Sequence, residues 1–169
     1  MNTRVPFICL CLLALLAPAA PAEERAELQF DDRKWKLRFQ GSRGASIITE
    51  YTLEGESIEN WTELLTAQLL TSVPKRAKAE DFVKTGETKL RNITSGKLEW
   101  NVISTSPNDV MYEWSLVKDH LRADEQEIMR VIKGADGIHI IHYATHKVPM
   151  TRDARQKWIG ILKAAKIVK

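Results

Sequence analysis

KLEWNVISTSPNDVMYEWSLVKDHLRADEQEIMRVIKGADGIHIIHYAT, residues 97 to 145, decides the fold. Leu98, Trp100 and Val102 alternate with Glu99 and Asn101, and Val110, Tyr112, Trp114 and Leu116 alternate with Met111, Glu113 and Ser115. A period of two sends one set of side chains to each face of a pleated strand. Ser106-Pro107-Asn108-Asp109 reads as a turn, because proline presets φ and Asn and Asp close turns with their own side chains. A polar link over 119 to 124 leads into residues 127 to 133, and Gly134-Ala135-Asp136-Gly137 turns the chain into residues 138 to 145. Four strands with short polar connections predict an antiparallel meander.

Upstream, Trp35, Leu37 and Phe39 alternate with Lys36, Arg38 and Gln40; Gly41-Ser42-Arg43-Gly44 follows as a turn, and residues 45 to 53 return as a β-branched strand. Together they predict a hairpin. Ser57 then reads as a helix N-cap, with Glu59 in the first turn and Ile58, Trp61, Leu65 and Leu69 on one helical stripe closed by Pro74. A second helical stripe follows at Ala79, Phe82, Val83, Gly86 and Leu90. Gly86 is its weak point, because glycine costs about 1 kcal/mol against alanine in a helix interior. Downstream of the meander, a helix opens near Thr151 with Ala154, Trp158, Ile161, Leu162 and Ala165 on its apolar stripe.

Strands and helices do not alternate one by one. The expected class is therefore α+β: an antiparallel sheet, made of an N-terminal hairpin plus a four-stranded meander, covered by two or three helices. The hairpin, the block GESIENWTELLTAQLL, the meander and the amphipathic last helix, taken in that order, resemble the PsbP-like fold group. That group includes the PsbP subunit of photosystem II, a Ran-binding release factor and periplasmic DcrB-type proteins. The resemblance implies a PsbP-like sandwich over residues 33 to 167 and an accessory or binding role rather than catalysis. It carries over no site residue.

Residues 1 to 22 have the three parts of a secretory signal: Arg4, the apolar run FICLCLLALLA, and the small residues of Ala20-Pro21-Ala22 just before Glu23. The apolar run is shorter than the roughly 20 residues that a membrane span needs. Cleavage between Ala22 and Glu23 is expected, leaving one α+β domain over 23 to 169, in the periplasm or secreted, with no integral membrane segment. Cys9 and Cys11 both fall in the segment removed, so the remaining chain holds no disulfide.

From Lys147 onward there are seven basic residues against one acid, Asp153. At 100° per residue, Arg152, Arg155, Lys163 and Lys166 form an arc opposite the apolar stripe of the last helix, a candidate surface for an anionic protein or envelope component. The balance of charge elsewhere excludes a nucleic-acid binder.

Chemistry finds little foothold. His139, His142 and His146 fall close together, but strand residues four apart are separated by about 13 Å, too far to share a zinc ion. No nucleophile elbow is present, and Gly41-Ser42-Arg43-Gly44 precedes a strand rather than the helix N-terminus of a phosphate loop. The five tryptophans each fall in phase with an apolar stripe and are expected in the core. Asn60 and Asn92 match the glycosylation pattern by chance.

The expectation is an exported, non-enzymatic accessory or binding protein without cofactor or metal, whose partner is a protein or an anionic envelope component. The alternatives are a small-ligand carrier with a cleft between sheet and helices, and a hydrolase with an unrecognised site.

Overall fold

A computed structural model describes residues 23 to 169; the predicted signal, with Arg4, Cys9, Cys11 and Ala22, lies outside the described residues. The elements run β1 (Arg25–Glu27), β2 (Trp35–Arg43), β3 (Ser46–Leu53), β4 (Glu63–Leu70), α1 (Ala79–Ile93), β5 (Lys97–Ser106), β6 (Asp109–Val117), β7 (Glu125–Lys133), β8 (Ile138–Thr145), α2 (Arg152–Ala164) and β9 (Lys166–Val168). β2-β3-β4-β8-β7-β6-β5 form one antiparallel sheet, and β1 pairs with β9 in a second, two-stranded one. The chain is an α+β protein.

The meander stands where its alternation puts it. Trp100 pairs with Trp114, Trp114 with Glu127, and Glu127 with Ala144 across β5 to β8. The sheet buries both faces. On one, Leu65, Ile128, Ile141 and Tyr143 pack against Trp158 and Leu162 of α2. On the other, Val110, Tyr112, Val131, Ile138 and Ile140 pack against Ala79 and Val83 of α1.

The helix expected from Ser57 is a strand. Glu63–Leu70 is β4, an interior strand of the sheet between β3 and β8. Residues four apart share a face in a helix and in a strand alike, so Leu65 and Leu69 satisfied both patterns. Leu64 is buried as well, at 9% exposure against 0% for Leu65. A short run that is apolar on both faces marks a doubly covered strand.

Three smaller departures have local causes. α1 runs unbroken through Gly86, where a side chain would meet open space; packing of the apolar stripe outweighs the glycine cost. The hairpin turn falls at Gly44 (φ +62°), so Gly41, Ser42 and Arg43 continue β2. Between Leu37 and Phe39 the register of β2 shifts, and Leu37 is left about half exposed.

α2 is held at both ends. Thr151 caps the start by accepting from the Ala154 N–H (3.2 Å). At its end, Arg130 Nη1 donates to the carbonyls of Leu162, Lys163 and Ala165 at 3.0, 2.9 and 2.9 Å. Carbonyls at a helix end lack the usual i+4 donor, Leu162 O otherwise taking only the Ala165 N–H at 3.4 Å, and a cation there also suits the helix dipole.

Candidate functional site

Residues 23 to 30 cross the β2–β3–β4 side of the sheet, on the face that carries α2, as a strap. Ala26 and Leu28 turn inward against the α2 core, while Arg25 and Glu27 pair with Val168 and Lys166 of β9. Beneath the strap lies a cavity of about 420 Å³ walled by Leu28, Phe30, Ile47, Tyr51, Ala67 and Leu69. Phe30 meets Tyr51 edge to face at 5.0 Å, at the strap side of the cavity.

Glu24 and His139 both line the cavity, and Asp136, outside the lining, anchors Glu24. Asp136 lies in the β7–β8 turn, and its N–H donates to Glu24 Oε2 (2.9 Å); the Glu24 N–H donates to Asp136 Oδ2 (2.8 Å). His139 is 1% exposed, and its Nε2 lies 3.3 Å from the same Glu24 oxygen. The Asp136 N–H bond holds the Glu24 carboxyl below its usual range, against partial burial and the neighbouring Asp136 charge. A Cβ at Gly134 would strike both the Glu24 carboxylate and the His139 ring. Glycine there is what lets those two groups meet.

A second polar cluster locks the fold on the same face. Arg33 reaches Asp31 (2.8 Å) and Glu63 (2.7 Å), Lys147 reaches Glu63 (2.8 Å) and Lys157 reaches Asp31 (3.3 Å). Trp35 Nε1 donates to Asp31 (2.9 Å), and the Tyr143 hydroxyl donates to Glu63 (2.5 Å). Burial alone would raise both carboxyls, but these donors outweigh it and hold Asp31 and Glu63 low. Burial, then Glu63, pushes the Tyr143 phenol up, so it stays a neutral donor. No oxygen in this cluster is left free to act as a base.

The third cluster lies on the α1 face, where cross-strand pairing sets Glu50 beside Thr66 and Thr66 beside His142. His142 Nδ1 lies 3.1 Å from Glu127 Oε2. Burial disfavours both charges, but mutual attraction wins: the imidazole is raised and Glu127 lowered. Burial, then the Glu127 charge, pushes Glu125 up to about 8. Among the described residues Thr66 Oγ1 and Glu50 Oε2 have no hydrogen-bond partner; Arg43 approaches Glu50 only to 3.7 Å.

The three sequence-marked histidines therefore occupy three environments. His139 meets Glu24, His142 meets Glu127, and His146, past the end of β8, stacks on Trp61 at 4.1 Å. Among the described residues no group of three His, Cys, Asp or Glu could hold a metal ion. The basic arc is likewise divided. Arg152 and Lys163 are exposed on α2, whereas Arg155 forks onto Glu113 at 2.6 and 2.7 Å. Lys166 lies beyond the helix, in β9 opposite Glu27. Glu24 and Asp136 went unmarked in the sequence: one falls just before a three-residue strand, outside any period, and the other in a turn.

One protein-family model matches residues 22–167, almost all of the described chain. The chain belongs to that family. No curated protein and no solved structure matches it. No helix among the described residues is long and apolar enough to cross a membrane.

Proposed function

We propose that this chain is an exported binding protein that does no chemistry of its own and takes a small, largely apolar ligand into the cavity beneath the strap. The observation that carries the reading is the cavity itself: about 420 Å³, with aliphatic and aromatic side chains along its walls, Gln40, Thr49 and Gln68 interspersed among them, and Glu24 paired with His139 at its lining. Volumes of a few hundred Å³, mostly apolar with a few fixed polar groups, suit small ligands. The cavity lies between sheet and strap rather than between sheet and helix. Export is supported by the signal-like pattern of residues 1 to 22, and the family match begins at residue 22, where that pattern ends. The PsbP-like resemblance supports an accessory role. A hydrolase is the weaker reading, because the strongly raised carboxyl, Glu125, does not line the cavity. Docking of an anionic envelope component at Arg152 and Lys163 ranks second, since Arg155 is already paired and Lys166 stands apart.

Titration with N-phenyl-1-naphthylamine, which brightens in apolar surroundings, tests the cavity. Saturable, one-to-one binding that Ala67→Phe abolishes, in a variant whose circular dichroism is unchanged, is expected. Binding equal in both proteins, or none in the wild type, overturns the reading.

A further inference from the structure

Glu24 is held the way a bound carboxylate would be. One of its oxygens, Oε2, takes both the Asp136 N–H at 2.9 Å and the contact with His139 Nε2 at 3.3 Å. A carboxylate can only accept, so the Nε2–H form of the imidazole is the one that bonds to it. His139 is almost wholly buried, and a buried polar ring is stable only when paired. The carboxylate belongs to a strap whose strand pairing is a three-residue ladder with β9, outside the main sheet. The strap's remaining hold is this contact and the packing of Ala26 and Leu28, so the carboxylate is the part of the site that can leave.

Taking the cavity as the binding site, we infer that its ligand is an apolar carboxylate, whose head displaces Glu24 from the Asp136 N–H and His139. Glu24 is thus a built-in competitor, and the strap closes the site while it is empty. The apolar walls of Leu28, Phe30, Ile47 and Leu69 receive the hydrocarbon part. Gly134 keeps the floor open at the head. The Asp136 carboxylate opposes any anion here, yet Glu24 remains ionised beside it more readily than an ordinary glutamate. The donors outweigh that repulsion, and they would do so for a ligand. Arg25 and Glu23, also at the cavity wall, offset each other in charge, so the head is held by the Asp136 N–H and His139.

Decanoate and decanol, the same chain with and without the charge, make the test, read by displacement of N-phenyl-1-naphthylamine from the purified protein. Glu24→Ala should tighten decanoate binding about tenfold, the effect of removing roughly one charge-assisted hydrogen bond of competition, and leave decanol nearly unchanged. Glu24→Gln, which keeps an accepting oxygen, should fall between. The ¹⁵N shift of His139 Nε2 should move with decanoate and not with decanol. Equal tightening of acid and alcohol would mean that the substitution only loosens the strap, and would overturn the inference, as would no change in either. If the wild-type protein binds no naphthylamine, the cavity reading fails and this inference with it, an outcome distinct from bound probe without acid preference.

Discussion

Two clusters of buried carboxylates, one on each face of the sheet, are treated in opposite ways. On the α2 face, Asp31 and Glu63 are about 97% and 96% buried in their side chains, and Arg33, Lys147, Lys157, Trp35 and Tyr143 all donate to them or pair with them. On the α1 face, His142 pairs with Glu127 alone, Arg43 approaches Glu50 only to 3.7 Å, and Glu50 Oε2 and Thr66 Oγ1 have no hydrogen-bond partner among the described residues. Burial is similar; the supply of donors differs. A buried charge is tolerable when hydrogen bonds replace its water, and otherwise it takes up or loses a proton. The first cluster fastens the loop at Asp31, β4, β8 and α2 together. The second stores a proton.

Removing one carboxylate from each cluster should separate them most sharply. Glu63→Ala leaves Lys147 and the Tyr143 hydroxyl without their acceptor and Arg33 with Asp31 alone. Because Lys147 is 68% exposed and can rehydrate, the loss should be about 2–3 kcal/mol rather than more. Glu50→Ala deletes an oxygen that already lacks a donor, and should change stability by no more than about 0.5 kcal/mol. Urea unfolding followed by tryptophan fluorescence measures both. Equal losses would erase the distinction between the faces.

The same contrast fixes the pH response. Asp31 and Glu63 have lowered carboxyls, so their contribution is present above the ordinary range near pH 4 and is lost as pH falls through their folded values. Glu125 is raised from 4.5 to about 8. The folded chain there binds a proton that the unfolded chain has already lost, so stability falls as pH rises from about 4.5 to about 8. His142, also raised, adds to the alkaline loss: its contribution is full below 6.5 and disappears as pH passes its folded value. Unfolding free energy should therefore peak near pH 5. Glu125→Gln should recover on the order of 2 kcal/mol at pH 8 and little at pH 5. A profile that rises from pH 5 to pH 8 would show that Glu125 is ionised throughout.

What the sequence disclosed follows the strength of its periods. The meander and α2 carry long alternating or helical patterns, each confirmed by turn or cap residues such as Pro107 and Thr151. β4 failed because Glu63–Leu70 is apolar on both faces and has no period of its own. Neither cavity nor clusters were visible, because each is assembled across the chain: Glu24 with Asp136 and His139, Asp31 with Lys157, Glu63 with Lys147. Residue type marked the histidines. Alternation along β8 puts His139 on the face opposite His142, and only the register of β8 against β7 shows that His142 meets Glu127.

The smallest effects should come from the basic residues of α2, and they refine the comparison by charge reversal at the surface. Arg155 and Lys163 look equivalent in the sequence, both lying away from the apolar stripe. Arg155, however, forks onto Glu113, whose carboxyl is held low once that pairing outweighs burial. Arg155→Glu would set two carboxylates against each other where Glu113 is only 12% exposed, and should cost about 1–2 kcal/mol. Lys163 has no acidic partner among the described residues and projects from the last turn. Lys163→Glu forfeits only the favourable helix-end charge, a few tenths of a kcal/mol that salt screens. Thermal unfolding of the two variants at low and high salt separates them. A Lys163→Glu loss that matched Arg155→Glu and persisted in high salt would place Lys163 in a pairing as close as that of Arg155.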